Sequence, residues 1–160
     1  MNNLSQETTM SPLTTKTAPI AITVSRFNSI YTQGLLDGAL KILAEAGIAS
    51  DTVPILWVPG AFELPLTALS LAETGRFEAV ICLGAVVKGD TPHFDFVAAE
   101  AARGISQVGL QTSLPIIFGV ITTNTKEQAL ERSVAGPENR GGEAAKAALE
   151  MIKVLKDIKR

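Results

Sequence analysis

Apolar residues follow two different patterns along this chain, and the two patterns alternate from Ile20 to the C-terminus. Short, nearly unbroken apolar runs are typical of strands, whereas apolar residues at spacings of three and four are typical of helices. The runs predict four strands, at Ile20–Val24, Val53–Val58, Ala79–Val87 and Leu114–Ile121. The helical spacing predicts five helices, at Ile30–Ala46, Glu63–Thr74, Thr91–Gln111, Lys126–Ser133 and Gly142–Ile158.

The alternation of strands and helices predicts the architecture. Strands separated by helices pair in parallel through right-handed crossovers. We therefore expect an α/β fold, a three-layer helix-sheet-helix sandwich around a central four-stranded parallel sheet. The run Ala79–Val87 is apolar on both faces and predicts a central strand, whereas Pro54 predicts an edge position for the second strand. Residues 19–160 are expected to form a single domain, preceded by a flexible N-terminal arm at residues 1–18.

Composition narrows the classes of function. Of the 160 residues, 46% are hydrophobic and 19% charged, as in a soluble globular protein, and the net charge of -2 offers no broad basic surface for nucleic acid or membranes. The single cysteine, Cys82, excludes an internal disulfide and is expected in the core. The first eighteen residues contain no hydrophobic signal segment, so we expect a cytoplasmic protein.

Ligands of parallel sheets bind beyond the carboxyl ends of the strands, so the segments after the strands are the candidates for chemistry. They are Ser25–Asn28, Pro59–Glu63, Val87–His93 and Thr122–Thr125.

The segment before the third helix contains the only histidine, His93. Gly89 permits a positive φ and close approach of the backbone to a ligand, while Thr91 and Pro92 fit the N-cap and the first helical position. Free N–H groups at a helix N-terminus suit a phosphate, and imidazole suits acid–base catalysis near neutral pH. The alternative is an ordinary helix start with a histidine on the surface.

The other segments are less specific. In Pro59–Glu63, backbone N–H groups and the carboxylate of Glu63 suit a ligand rich in hydroxyls, or simply begin a helix. Phe27 can offer its face to a flat ring or pack over the next helix. Phe118, in mid-strand, is expected in the core, and nothing near Arg132 marks it as a ligand-binding residue.

Several catalytic motifs are missing from the sequence. One histidine, one cysteine and no carboxylates at ligand spacing give no metal-binding pattern. The sequence also contains no G-x-G-x-x-G after the first strand, no Walker A loop and no G-x-S-x-G elbow.

Taken in order, these segments resemble the lumazine synthase family, from about Pro19 to the C-terminus. Each motif is weak alone, but the ordered set is highly specific. The matching segments are SRFN at 25–28, WVPGAFELP at 57–65, LGAVVKGDTPH at 83–93, PIIFGVIT at 115–122, EQALER at 127–132 and NRG at 139–141.

The resemblance implies a flavodoxin-like fold and an activity, the penultimate step of riboflavin biosynthesis. Such enzymes condense 5-amino-6-(D-ribitylamino)uracil with 3,4-dihydroxy-2-butanone 4-phosphate. The products are 6,7-dimethyl-8-ribityllumazine, phosphate and water. The family uses no metal or organic cofactor.

The resemblance also implies roles for individual residues. His93 is expected to be the catalytic residue that transfers protons, and Phe27 to stack on the pyrimidine. Phe118 is expected to reach into the neighbouring subunit's site, and Arg132 to bind the phosphate with its charge. The remaining substrate-binding residues are expected to be Ala61, Phe62 and Glu63 at the ribityl chain, Ala85, Val86 and Val87 at the ring, and Asp90 and Thr91 at the phosphate.

Family members form homo-pentamers, many of which assemble into an icosahedral shell, and association with riboflavin synthase is a further implied partnership. The segment Ser133–Gly141 departs from the turn usual in shell formers, and proline at positions 12 and 19 cannot donate to a strand ladder. The sequence therefore does not decide whether the pentamers assemble into a shell.

Three alternatives compete with this function: a non-catalytic binder of flavin-like ligands, a mainly structural shell protein, and a riboflavin synthase of the same ancestry.

Overall fold

The computed structural model describes residues 18–160. The predicted arm lies outside the described residues except for Ala18, which is buried and donates from its backbone N–H to the carbonyl oxygen of Thr52 (3.0 Å). Among residues 18–160, none of the helices has the length and apolar character needed to cross a membrane.

Strands and helices alternate through the described residues, as the sequence predicts. The strands are β1 (Ile20–Ser25), β2 (Ile55–Val58), β3 (Ala79–Val87) and β4 (Ile116–Thr123). The α-helices are α1 (Ser29–Glu45), α2 (Leu64–Glu73), α3 (His93–Thr112), α4 (Lys126–Ser133) and α5 (Arg140–Ile158). Two short 3-10 turns, Ser50–Thr52 and Ala61–Glu63, were not predicted.

The four strands form one parallel sheet in the order β2-β1-β3-β4. β3 is central and buried from Ala79 to Val86, and β2 lies at an edge directly after Pro54, so both predictions are confirmed. The order reverses between β1 and β3, which is where parallel sheets open a crevice for ligands.

Two hydrophobic cores cover the two faces of the sheet. One packs β1 and β3 against α1, α4 and α5, and the other packs the sheet against α2 and α3. The three-layer, flavodoxin-like α/β sandwich is therefore confirmed. Cys82 is fully buried in the second core, as expected, and burial raises the pKa of its thiol far above the ordinary value.

Several boundaries differ from prediction by one or two residues, and three of these differences have a clear cause. α3 begins at His93 because Pro92, with ψ near 3°, lies outside the helical region, and Thr91 Oγ1 accepts from the His93 N–H at 3.4 Å. β4 extends to Thr123 because it pairs with β3 through to Val87. α5 begins at Arg140 rather than Gly142, since the residue before it, Asn139, is the N-cap.

α4 has a capped N-terminus, which offers a stability test. Thr125 Oγ1 accepts from the Gln128 N–H (3.1 Å), and Gln128 Oε1 accepts from the Asn124 N–H (2.9 Å). Thr125→Ala is expected to lower the free energy of unfolding by about 1 kcal/mol, because one N–H loses its acceptor. Urea denaturation checks this, with the exposed Lys126→Ala as control; an equal loss in both variants would contradict the capping assignment.

Candidate active site

A cavity of about 790 Å³ opens at the carboxyl ends of β1, β2 and β3. It lies on the face of the sheet that packs against α2 and α3. Most of the predicted site residues line this cavity, namely Phe27, Ala61, Phe62, Glu63, Ala85, Val86, Val87, Thr91 and His93.

Hydrogen bonds hold the strand ends together beneath the cavity. The N–H of Arg26 donates to Val58 (2.7 Å) and that of Phe27 to Pro59 (3.0 Å), which joins β1 to β2. Asn28, in the left-handed region with φ 62°, donates through Nδ2 to the carbonyl oxygen of Ala85 (2.9 Å) and joins β1 to β3. The Phe27 ring, 73% exposed, is therefore carried on a rigid base at the cavity wall.

The Pro59–Glu63 segment supplies one wall. Ala61 is buried, Phe62 is 60% exposed and Glu63 is half-buried, so an aromatic ring and a carboxylate face the cavity together. A Cβ on Gly60 would lie 3.2 Å from Glu63 Oε2, so glycine leaves room for that carboxylate. α2 begins directly after this turn.

The Lys88–His93 segment is solvent-exposed. Gly89 and Thr91 line the cavity, with Asp90 exposed between them but not on the wall. Gly89 does not adopt the positive φ that glycine permits; a Cβ there would meet no atom within 4 Å, which leaves space for a ligand against the backbone. His93, the first residue of α3, lines the cavity with an exposed side chain.

Phe118 and Arg132 lie elsewhere. Together with Arg140 and Glu143 they line a second hollow, of about 360 Å³, along the outer strand β4. The expected core position of Phe118 was wrong: the side chain is 45% exposed, on a strand at the edge of the sheet. Arg132 is half-buried, and its Nη1 donates to the carbonyl oxygen of Gln128 (3.1 Å).

The first turns of α3 also line the main cavity, which sequence reasoning missed. Phe96, Val97 and Glu100 join His93 on the wall. A signal was available, since these residues follow His93 at three, four and seven positions and so share one face of the helix. The spacing alone was not enough, because residues that share one face of a helix can line a cavity, face solvent or pack in the core.

The fold and the cavity define a class of protein. It is a flavodoxin-like α/β protein with an aromatic-walled cavity at the strand-order switch, bordered by a helix N-terminus and an exposed imidazole.

Comparison with known proteins narrows the class. Residues 17–156 match the family model described as 6,7-dimethyl-8-ribityllumazine synthase. A 6,7-dimethyl-8-ribityllumazine synthase of Protochlamydia amoebophila (strain UWE25) is 51% identical over 135 residues, which cover 84% of this chain and 78% of the relative. The chain therefore belongs to the 6,7-dimethyl-8-ribityllumazine synthase family. It is an enzyme of riboflavin biosynthesis in the transferase class, and the function implied by the resemblance is confirmed.

Proposed function

We propose that the 790 Å³ cavity is where 5-amino-6-(D-ribitylamino)uracil and 3,4-dihydroxy-2-butanone 4-phosphate condense to 6,7-dimethyl-8-ribityllumazine, phosphate and water. The observation that carries the proposal is the convergence of residues following three neighbouring strands on one cavity that His93 also lines.

The walls of the cavity fit the pyrimidine substrate. The exposed ring of Phe27 stacks on the flat heterocycle, and the backbone of Ala85–Val87 borders its edge. The Glu63 carboxylate accepts hydrogen bonds from ribityl hydroxyls, next to Ala61 and Phe62. A carboxylate can only accept, so it favours a chain rich in hydroxyl donors.

The N-terminus of α3 fits the phosphate. The backbone N–H groups of Asp90 and Thr91 approach the anion, and the dipole of a 20-residue helix favours negative charge at this end. Lys88, exposed at the end of β3, adds positive charge nearby.

His93 supplies proton transfer between the two substrate regions. The amine of one substrate attacks the ketone of the other, and water leaves as the imine forms. Phosphate elimination and ring closure, which releases a second water, then need further proton movements. An imidazole that lies within the first turn of α3 and lines the cavity can act as both acid and base toward the bound substrates.

A complete site needs a second copy of the chain. Phe118 is expected to reach into a neighbour's site, and Arg132 shares the outer hollow with it rather than the main cavity. In a head-to-tail ring, the β4 side of one subunit meets the cavity of the next. We therefore propose that one subunit contributes His93 and Phe27, and its neighbour contributes Phe118 and Arg132.

Mixed assembly tests this division. His93→Ala and Arg132→Ala chains are each expected to have low activity alone. When the two are unfolded and refolded together, roughly a quarter of the sites in a ring combine an intact His93 with an intact Arg132. Co-purification through a tag on one variant checks mixing. Mixed rings with no gain over either parent would show that both residues act within one chain.

Other expectations from the resemblance and the sequence stay predictions. Sedimentation mass tests the homo-pentamer and distinguishes it from an icosahedral shell. Co-purification tests association with riboflavin synthase, and cell fractionation tests the cytoplasmic location.

A further inference from the structure

We propose that Asn139 is a positioning residue that holds Arg132 in place for the phosphate of the substrate. The inference rests on the proposed role of Arg132 and adds a residue to which neither the motifs nor the family comparison assigns a role in the reaction.

The Asn139 carboxamide is 3% exposed and has its hydrogen-bonding groups fully used. Its Nδ2 donates to the carbonyl oxygens of Gly34, Ser133 and Val134, each at 3.0 Å. Its Oδ1 accepts from the N–H of Gly142 at 3.0 Å. One side chain thereby joins the middle of α1, the C-terminus of α4 and the N-terminus of α5.

Helix α1 is shaped to admit this side chain. A Cβ on Gly38 would overlap the Asn139 carboxamide, and a Cβ on Gly34 would overlap the carbonyl oxygen of Ser133. The end of α4 therefore packs against the backbone of α1, and Asn139 fixes it there. Carbonyl groups at a helix C-terminus lack partners within the helix, so the two that Asn139 satisfies depend on it.

The side chain acts next to the phosphate-binding residue. Arg132 directly precedes Ser133, whose carbonyl oxygen Asn139 holds. Arg140 directly follows Asn139, and both arginines line the outer hollow with Phe118. The Arg132 guanidinium donates to the carbonyl oxygen of Gln128 in the same helix, so it moves together with α4. A shift of the last turn of α4 therefore moves the guanidinium relative to a bound phosphate.

Capping alone does not account for asparagine at this position. An N-cap needs only a side-chain oxygen, which serine and aspartate also supply. The contacts to three carbonyl oxygens require an NH₂ group, which neither has. Asn139→Ser therefore keeps an acceptor for α5 and replaces the two donors of the NH₂ group with the single O–H of a shorter side chain, without adding charge beside the phosphate.

Steady-state kinetics with both substrates test the proposal. Asn139→Ser is expected to raise the KM for the butanone phosphate roughly tenfold and leave the KM for the pyrimidine within about twofold. In the Arg132→Ala background, Asn139→Ser is expected to cause no further rise, because the residue acts through Arg132. Thr74→Ala is the control: it removes a hydrogen bond to Leu71 (2.7 Å) at the end of α2, lines neither cavity, and lowers stability without changing either KM.

The outcomes separate the two proposals. A phosphate-substrate effect of Asn139→Ser that persists in the Arg132→Ala background, or equal rises in both KM values, would overturn the positioning role. If Arg132→Ala itself leaves the KM for the butanone phosphate unchanged, the proposed role of Arg132 fails instead. Should Asn139→Ser not fold, the equally uncharged Asn139→Thr, which also keeps an N-cap oxygen, goes through the same cycle, in which an effect present only with Arg132 intact supports the role and a persistent one opposes it.

Discussion

His93→Ala is expected to slow turnover by roughly 10²- to 10⁴-fold and to leave a measurable residual rate. The amine and the ketone are reactive by themselves, and holding them together in one cavity lowers the barrier without an acid–base group. The imidazole adds proton transfer and little binding energy, because its side chain is exposed at the cavity wall. The increase of lumazine absorbance, with both substrates saturating, measures the rate.

Asp95→Asn is the matched control for His93→Ala. Asp95 lies in the same first turn of α3, is exposed and does not line the cavity, so the rate is expected to stay within about twofold. Complete loss of turnover in a correctly assembled His93→Ala enzyme, or an unchanged rate, would contradict the role proposed for the imidazole.

Arg132→Ala is expected to weaken binding of the butanone phosphate by roughly 10- to 100-fold and that of the pyrimidine much less. Hydrogen bonds to a charged group contribute about 1.5–3 kcal/mol each, and only one substrate is a phosphate. Titration of each substrate separately, by calorimetry, measures the two affinities. Arg132→Lys is expected to fall between wild type and alanine, because it keeps the charge but loses the planar fork.

The control for Arg132 is another arginine. Arg103→Ala removes an exposed guanidinium on α3 that lines neither cavity and pairs only loosely with Glu100 (3.9 Å). It is expected to change neither affinity, because exposed ion pairs contribute little. Equal weakening of both substrates by Arg132→Ala would oppose its placement at the phosphate.

Local patterns predicted most of the fold. The bounds of β3 and α4 match the prediction because an all-apolar run and a segment between turns have clear limits. α5 begins two residues earlier than predicted because its start depends on Asn139, whose partners lie on α1 and α4. A contact across 105 positions of sequence leaves no local signal.

The site was predictable to the extent that strand ends converge. The carboxyl ends of β1, β2 and β3 meet because parallel strands share a direction, so Phe27, Glu63 and His93 reach one cavity. Arg132 was beyond such reasoning. Its place beside Phe118 depends on how α4 packs at the outer edge of the sheet, and nothing in the sequence near Arg132 marks it as a ligand-binding residue.

The exposure of Phe118 on the outer strand has an evolutionary consequence. In the proposed arrangement, the surface that recognises a substrate is also the surface that recognises a sister chain. A substitution that changes substrate recognition then also changes the contact between subunits, and the reverse holds as well. Ligand preference and quaternary structure cannot drift apart in such an enzyme, and lineages that alter one are expected to carry compensating changes in the other.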